Sequence, residues 1–224
     1  MRGKLVGACI LSLGLCAIKP CSAGLIVANL AGSTLATAED LTGLYPTEIV
    51  GTLSGTDQND VNMFKILSLQ AGNFSALTLF TGAFGIPDTV LTLFDSTGAG
   101  VYLNDDISGA NTMSCLPSAG LTNPCPTTGT GLPVGTYYLA ISRSANYPLD
   151  SLSNEIFNPV LSTDLVGPSP STGPVAGWDG GAFTSTDFDL TSYDIVLTGT
   201  TPEPATWVLT AGAALIFGRL RRRR

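Results

Sequence analysis

Five oxygen-bearing side chains in the middle of the chain have the composition of a calcium site. Asn104, Asp105 and Asp106 are consecutive, and Asp88 and Asp95 precede them. Calcium takes six to eight oxygen ligands, and clustered carboxylates with loop carbonyls supply them. If the loops at Asp88 and Asn104 meet, Asp88, Asn104, Asp105 and Asp106 converge, with Asp95 as an outer candidate. The alternative is that these residues only form turns on an acidic surface.

Enzyme chemistry is restricted because the chain contains no histidine. Without histidine, Ser-His-Asp and Cys-His nucleophile systems and imidazole acid-base catalysis are excluded. Paired carboxylates of the kind that hydrolyse glycosides remain. No acidic residue lies in an apolar stretch that would raise its pKa, so the sequence predicts a protein that is not an enzyme.

Short runs that alternate between apolar and polar residues would have to position these groups. Leu91 and Leu93 share one face of such a run, and Val90 and Phe94 share the other. Gly, Asn, Asp, Ser and Pro separate the runs, and no amphipathic helix interrupts them. The sequence therefore predicts an all-β, jelly-roll-like β-sandwich. The predicted strands are 61–69, 74–80, 89–94, 101–103, 136–142 and 193–197.

Charge is distributed very unevenly along the chain. Residues 24–201 contain sixteen of the seventeen acidic residues but only two of the ten basic ones, Lys65 and Arg143, so this body has a formal charge of −14. A strongly acidic surface favours solubility and cation binding, and argues against nucleic acid as a partner.

Both ends of the chain have the features of export and membrane signals. Arg2 and Lys4 precede an apolar run, 5–18, and small residues follow up to Ala23, which predicts a signal peptide over residues 1–23. At the other end, residues 205–218 carry no charge. As a helix, this run would span about 21 Å, less than the roughly 30 Å of a bilayer core. We predict a short transmembrane helix over residues 205–220, with the arginines that follow on the cytoplasmic side.

Removal of the signal peptide would leave only Cys115 and Cys125 of the five cysteines. A single cysteine pair in an exported protein predicts a disulfide. The bond would close an eleven-residue loop and stabilise the fold by roughly 3 kcal/mol. Two free thiols are the alternative.

A series of short motifs resembles the bacterial pre-peptidase C-terminal domain over about residues 35–145. They are Thr37-Ala-Glu-Asp-Leu, Gly51-Thr-Leu-Ser-Gly, Asp60-Val-Asn-Met-Phe, Asp88-Thr-Val-Leu-Thr-Leu-Phe-Asp, Asn104-Asp-Asp and Leu132-Pro-Val-Gly-Thr-Tyr-Tyr-Leu-Ala-Ile. The resemblance implies a small β-sandwich on a secreted enzyme or surface protein, and some members of that family bind calcium. Asn62 stands where the family often has a second aspartate, and this chain has an insertion around the cysteine loop.

Residues 150–190 are rich in Pro, Ser, Gly and Asp, and are predicted to form a long loop inserted before a last strand at 193–199. Trp178, Asp179, Asp187 and Asp189 lie within this insertion. An aromatic ring with carboxylates suits a sugar-binding platform, but packing of Trp178 against the sandwich is the alternative that we prefer.

The C-terminal residues 202–224 resemble the PEP-CTERM sorting tail of Gram-negative bacteria. The motif combines an acidic elbow, an apolar run and a basic end, and its residues are Pro202, Glu203, Pro204, Arg221, Arg222, Arg223 and Arg224. The resemblance implies processing by an exosortase-type membrane enzyme and release in company with exported polysaccharide. An ordinary C-terminal anchor is the alternative.

Together these features predict an exported, non-catalytic protein of the cell surface or extracellular matrix, associated with exopolysaccharide or biofilm and stabilised by calcium. It would reside in the inner membrane only transiently. Two alternatives stay open. One is a secreted polysaccharide-processing enzyme that uses paired carboxylates, and the other is a periplasmic binding protein that stays anchored in the membrane.

Overall fold

The fold is all-β. The computed structural model describes residues 24–28, 30–53, 60–79, 88–116, 131–158, 163–180 and 191–202. These residues contain twelve strands and no helix. The strands are β1 (Gly24–Val27), β2 (Glu39–Asp40), β3 (Pro46–Leu53), β4 (Asn62–Ser68), β5 (Ser75–Leu79), β6 (Thr89–Asp95), β7 (Gly100–Asn104), β8 (Cys115–Leu116), β9 (Gly135–Arg143), β10 (Pro148–Asp150), β11 (Val175–Trp178) and β12 (Thr191–Thr198).

Two five-stranded sheets make up the sandwich. The first sheet has the order β1-β3-β12-β5-β8, and the second has the order β2-β4-β9-β6-β7. Strand β1 is parallel to β3, and β2 is parallel to β4. All other neighbours are antiparallel, so both sheets are mixed. The prediction of an all-β sandwich is confirmed, and each of the six predicted strands corresponds to an observed one.

Alternation along the strands sends one set of side chains into the core between the sheets. Ile49 and Ile195 enter it from the first sheet, and Leu91, Leu93 and Leu139 enter it from the second. All five are at most 1% exposed. Because successive side chains point to opposite faces, this core requires the period-two pattern that the sequence shows.

The outer face of the second sheet is buried as well, which explains why β6 is apolar on both sides. Val90 and Phe94 point outward there and pack with Phe157 and Trp178 of the insertion. The Phe94 ring meets Phe157 and Trp178 edge to face, each with centroids 6.3 Å apart. The insertion thus covers the sandwich and contains β11, which pairs antiparallel with β10 at its start, whereas the sequence predicted a long loop.

The insertion also covers the edge strand of the second sheet. Leu103 of β7 and Val166 exchange two backbone hydrogen bonds, of 2.9 and 2.8 Å. The outer side of β7 is therefore paired with the insertion at this position.

Gly199 fixes the end of the body against the sandwich. Its φ is +74°, and a Cβ there would lie 2.8 Å from the backbone of Phe74. Only glycine combines this left-handed conformation with such a close approach. Position 199 is therefore held by the turn that precedes β5.

Most of the predicted membrane signals lie outside the described residues. The signal peptide at 1–23, residues 203–204 of the elbow and the helix at 205–220 are not among them. In the part of the chain that the structure describes, no helix is long and apolar enough to cross a membrane.

Candidate metal centre

Three carboxylates converge at one end of the β6-β7 hairpin. Asp88 directly precedes β6, and Asp105 and Asp106 directly follow β7. Since the two strands are antiparallel, with Leu91 opposite Asn104, the start of β6 and the end of β7 share one end of the sheet. One oxygen from each carboxylate lies within 4.8 Å of the other two. We call Asp88, Asp105 and Asp106 the carboxylate cluster.

Asp105 is the buried member of the cluster, with 4% of its surface exposed. Tyr147 Oη donates a hydrogen bond of 2.9 Å to Asp105 Oδ2. The backbone carbonyl of Asp105 accepts a hydrogen bond of 2.9 Å from Ser114 Oγ. The residue is therefore held from two sides, and Asp105 Oδ1 is left for another partner.

Two further oxygens, on Asp105 and Asp106, have no hydrogen-bond donor among the described residues. Asp105 Oδ1 and Asp106 Oδ1 are both buried, and neither accepts a hydrogen bond from the described residues. A buried carboxylate oxygen without a donor costs free energy unless a cation or water satisfies it. These two atoms fit the oxygen ligands that calcium requires.

Electrostatics at the cluster favours a bound cation. Burial raises the pKa of the Asp105 carboxyl to about 7, and the charges of Asp88 and Asp106 act in the same direction, while hydrogen bonds from Tyr147 and Ser144 oppose the shift. The expectation that no acidic residue would have a raised pKa is therefore wrong. The buried Asp105 carboxylate is costly to ionise beside two other carboxylates. A divalent cation bound there would supply positive charge and favour the ionised form of Asp105.

Asn104, predicted as a ligand, has a structural role in the hydrogen-bond network. Its side chain is fully buried. Asn104 Nδ2 donates to the carbonyls of Asp106 at 2.9 Å and Asp164 at 3.2 Å, and Oδ1 accepts from the amide of Cys115 at 2.7 Å. These bonds tie the end of β7 to the insertion and to β8, and so they position the cluster.

Asp95 lies at the far end of β6 and shapes a turn. Its Oδ1 accepts hydrogen bonds from Thr97 N at 2.8 Å, Thr97 Oγ1 at 2.6 Å and Ala99 N at 3.1 Å. Gly98 follows with φ +87°. The predicted outer candidate is thus separated from the cluster, and its carboxylate satisfies the β6-β7 turn.

Cys115 is fully buried at the start of β8 and is disulfide-bonded. Its predicted partner, Cys125, lies outside the described residues. Because Cys115 N donates to Asn104 Oδ1, the cross-linked strand is tied directly to the residue before the cluster. A disulfide at this place restrains the segment that carries Ser114.

Trp178 packs against the sandwich. Its Nε1 donates a 2.9 Å hydrogen bond to the carbonyl of Ser33, and its ring meets Phe94. Asp179 accepts a hydrogen bond from the amide of Tyr147 at 2.8 Å. These contacts agree with the preferred packing role, and Asp187 and Asp189 lie outside the described residues.

Sequence reasoning did not find Tyr147, which lies 42 residues from its partner Asp105. No local spacing links the two residues, since the pairing of β9 with β6, which places Arg143 opposite Thr89, brings the turn that carries Tyr147 to the cluster. In a single sequence, nothing distinguishes Tyr147 from the other tyrosines as a partner of Asp105.

No protein-family model matches the chain, and no curated protein matches it either. The two family resemblances drawn from its motifs therefore stay predictions.

Proposed function

We propose that this protein is an exported, non-catalytic β-sandwich stabilised by calcium in the carboxylate cluster. The observation that supports calcium is the approach of three carboxylate oxygens to within 4.8 Å of one another. Two of the carboxylates also have buried oxygens without donors among the described residues. Such an arrangement is costly alone and favourable around a divalent cation.

Calcium in this cluster would have a structural role. Asp105 is almost fully buried and is fixed by Tyr147, so an ion there joins the end of β7 to the start of β6. A glycosidase instead needs two carboxyl groups about 5 to 10 Å apart on either side of a sugar. Burial of Asp105 leaves a sugar no access to it, which favours the non-catalytic proposal over the enzyme alternative.

The proposed location is the cell surface or extracellular matrix, reached through the inner membrane with the help of an exosortase-type enzyme. The supporting features are the signal-like first 23 residues, the C-terminal motif and the acidic body. Disulfide-bonded Cys115 also suits an oxidising compartment. In this proposal the sandwich is jelly-roll-like, follows a signal peptide and precedes a short C-terminal transmembrane helix. Its partner outside the cell is exopolysaccharide.

Calcium is expected to raise the melting temperature of the exported protein. At a free concentration of 100 times Kd, the stabilisation is about 2.7 kcal/mol, which corresponds to roughly 5 to 10 °C for a chain of this size. Differential scanning calorimetry with calcium and with EDTA measures it. Terbium should replace calcium and show luminescence on excitation of Tyr147.

Asp95→Asn is the matched control, because Asp95 is tied into the turn at the other end of β6. It should keep the calcium response. Equal melting temperatures in calcium and EDTA, with no terbium luminescence, would contradict the calcium proposal.

Export and sorting are expected to leave a defined protein in the medium. Intact-mass spectrometry should find a chain that begins at Gly24 and lacks Arg221 to Arg224, because both terminal signals are removed. Reduction should add about two hydrogens as the disulfide opens. A chain that keeps the arginines and occurs only in the inner membrane would instead support the anchored alternative.

A further inference from the structure

The chain enters and leaves the sandwich at the same end. Gly24, the first residue of β1, is paired with Pro46 at the start of β3. Thr200, just beyond β12, donates a 2.6 Å hydrogen bond from Oγ1 to the carbonyl of Pro46. One residue of β3 therefore contacts both ends of the exported body.

The turn between β4 and β5 belongs to the same end. Leu69 N donates to Gly199 O at 2.7 Å, and Gln70 Nε2 donates to Thr201 O at 3.0 Å. Ala71 follows in this turn and is exposed. We call the end that carries Gly24, Pro46, Thr200 and this turn the terminal end.

The carboxylate cluster lies at the opposite end. Asn62 Nδ2 donates to Thr52 O and Tyr193 Oη, so the start of β4 adjoins the end of β3. Across the second sheet, a row of paired residues runs from Asn62 through Ile141 and Leu91 to Asn104. Asn104 directly precedes the cluster. About 20 Å separates it from the terminal end, because Pro46 and Thr52 are six residue steps apart along β3.

Acidic residues lie at both ends of the sandwich, but three converging carboxylates lie only at the cluster end among the described residues. Asp88, Asp105 and Asp106 are at the cluster end, and Asp179 adjoins them through Tyr147. The chain segments next to the terminal end are not acidic. Residues 5–18 and 205–218 carry no charge, and arginines follow residue 218. An anionic bilayer repels the carboxylate cluster, and the apolar C-terminal segment with its arginines favours contact with lipid.

We propose that the terminal end of the sandwich faces a lipid bilayer and that the cluster end points away from it. The C-terminal apolar segment would then enter the membrane from this end, so the orientation rests on the proposed membrane segment. The cluster is presented to the side away from the lipid. This orientation does not depend on cation binding, so it and the calcium proposal can fail separately.

Two matched cysteine substitutions test the orientation in the full chain. Ala71→Cys lies in the turn at the terminal end, and Ala110→Cys lies in the exposed turn after the cluster. Cys9→Ala, Cys16→Ala and Cys21→Ala remove the other thiols outside the body. Each protein is labelled with a fluorophore without reduction and reconstituted into phosphatidylcholine vesicles that contain phosphatidylglycerol and a headgroup nitroxide lipid.

The label at position 71 should be quenched at least about threefold more than the label at position 110, given the roughly 20 Å between the ends. Equal quenching, or stronger quenching at position 110, overturns the orientation. Failure of the chain to sediment with the vesicles overturns it too, because the terminal segments would then not hold the sandwich on a bilayer.

Amide hydrogen exchange of the unsubstituted chain gives a second measurement that does not depend on folding of the variants. Addition of vesicles should slow exchange at residues 70–73 and leave residues 108–111 unchanged. Slower exchange at residues 108–111 alone would overturn the proposal.

Discussion

Asp105→Asn is expected to remove the calcium response and, at the same time, to make the calcium-free protein more stable at neutral pH. The carboxylate is 4% exposed beside Asp88 and Asp106, so its charge is unfavourable without a cation. An asparagine keeps the shape, can accept the hydrogen bond from Tyr147 and offers donors to the neighbouring carboxylates. The gain should be about 1–3 kcal/mol in EDTA at pH 8.

The dependence of stability on pH gives the sign of this effect. The folded-state pKa of Asp105 is about 7, above the ordinary 3.8, so the folded protein retains the proton over a wider range of pH. In EDTA, the contribution of the Asp105 carboxyl to stability is therefore fully present below about pH 4 and is lost as the pH rises towards 7. Asp105→Asn should lack this decline.

Urea denaturation between pH 4 and pH 8, with calcium and with EDTA, measures both effects. Asp164→Asn is the control, because Asp164 is exposed and only its backbone carbonyl reaches Asn104. It should keep the calcium response. A loss of stability in Asp105→Asn under EDTA would show that the ionised carboxylate is favourable without calcium, and the account of the cluster would then be wrong.

Asn104→Ala is expected to lower the free energy of unfolding by about 4 kcal/mol, the largest loss predicted for a single polar side chain here. The substitution leaves Cys115 N and the carbonyls of Asp106 and Asp164 without their present partner. Because the site is fully buried, water does not readily replace the amide. Calcium affinity should fall too, since Asp105 and Asp106 directly follow Asn104.

Asn73→Ala is the matched control, since Asn73 is exposed and its amide bonds only to Gln70 at 3.3 Å. It should cost less than about 0.5 kcal/mol. Asn104→Asp should also destabilise the fold, because a carboxylate would then face the carbonyls of Asp106 and Asp164. A stable Asn104→Asp protein that binds calcium more tightly would show instead that position 104 is a ligand.

Local sequence patterns predicted the strands whose residues are apolar on both faces or alternate regularly between apolar and polar. In β6, Leu91 and Leu93 enter the core between the sheets, and Val90 and Phe94 enter the outer cluster, as their alternation requires. Strand β3 was not predicted, because Glu48 and Gly51 interrupt its apolar pattern. Gly51 is needed there since a side chain would collide with the Tyr193 hydroxyl. That requirement arises only from tertiary packing.

The sequence predicted which carboxylates would lie close together, but it did not separate ligand candidates from structural residues. Asp88, Asp105 and Asp106 could be brought together in advance because an antiparallel hairpin joins its strand ends. Asn104 and Asp95 also carry side-chain oxygens of the kind that bind calcium. Only their hydrogen-bond partners show that they are structural residues and not candidate ligands. Tyr147 comes from a distant segment, the turn after β9, and its contact with Asp105 depends on the pairing of β9 with β6.

The backbone pairing between Leu103 and Val166 has a consequence for association with other chains. An open edge strand is a template on which another chain can add a strand. At β7 that template is already used by the protein's own insertion. A second chain would first have to displace Val166, so the segment that covers the outer face also protects the sandwich against aggregation along this edge.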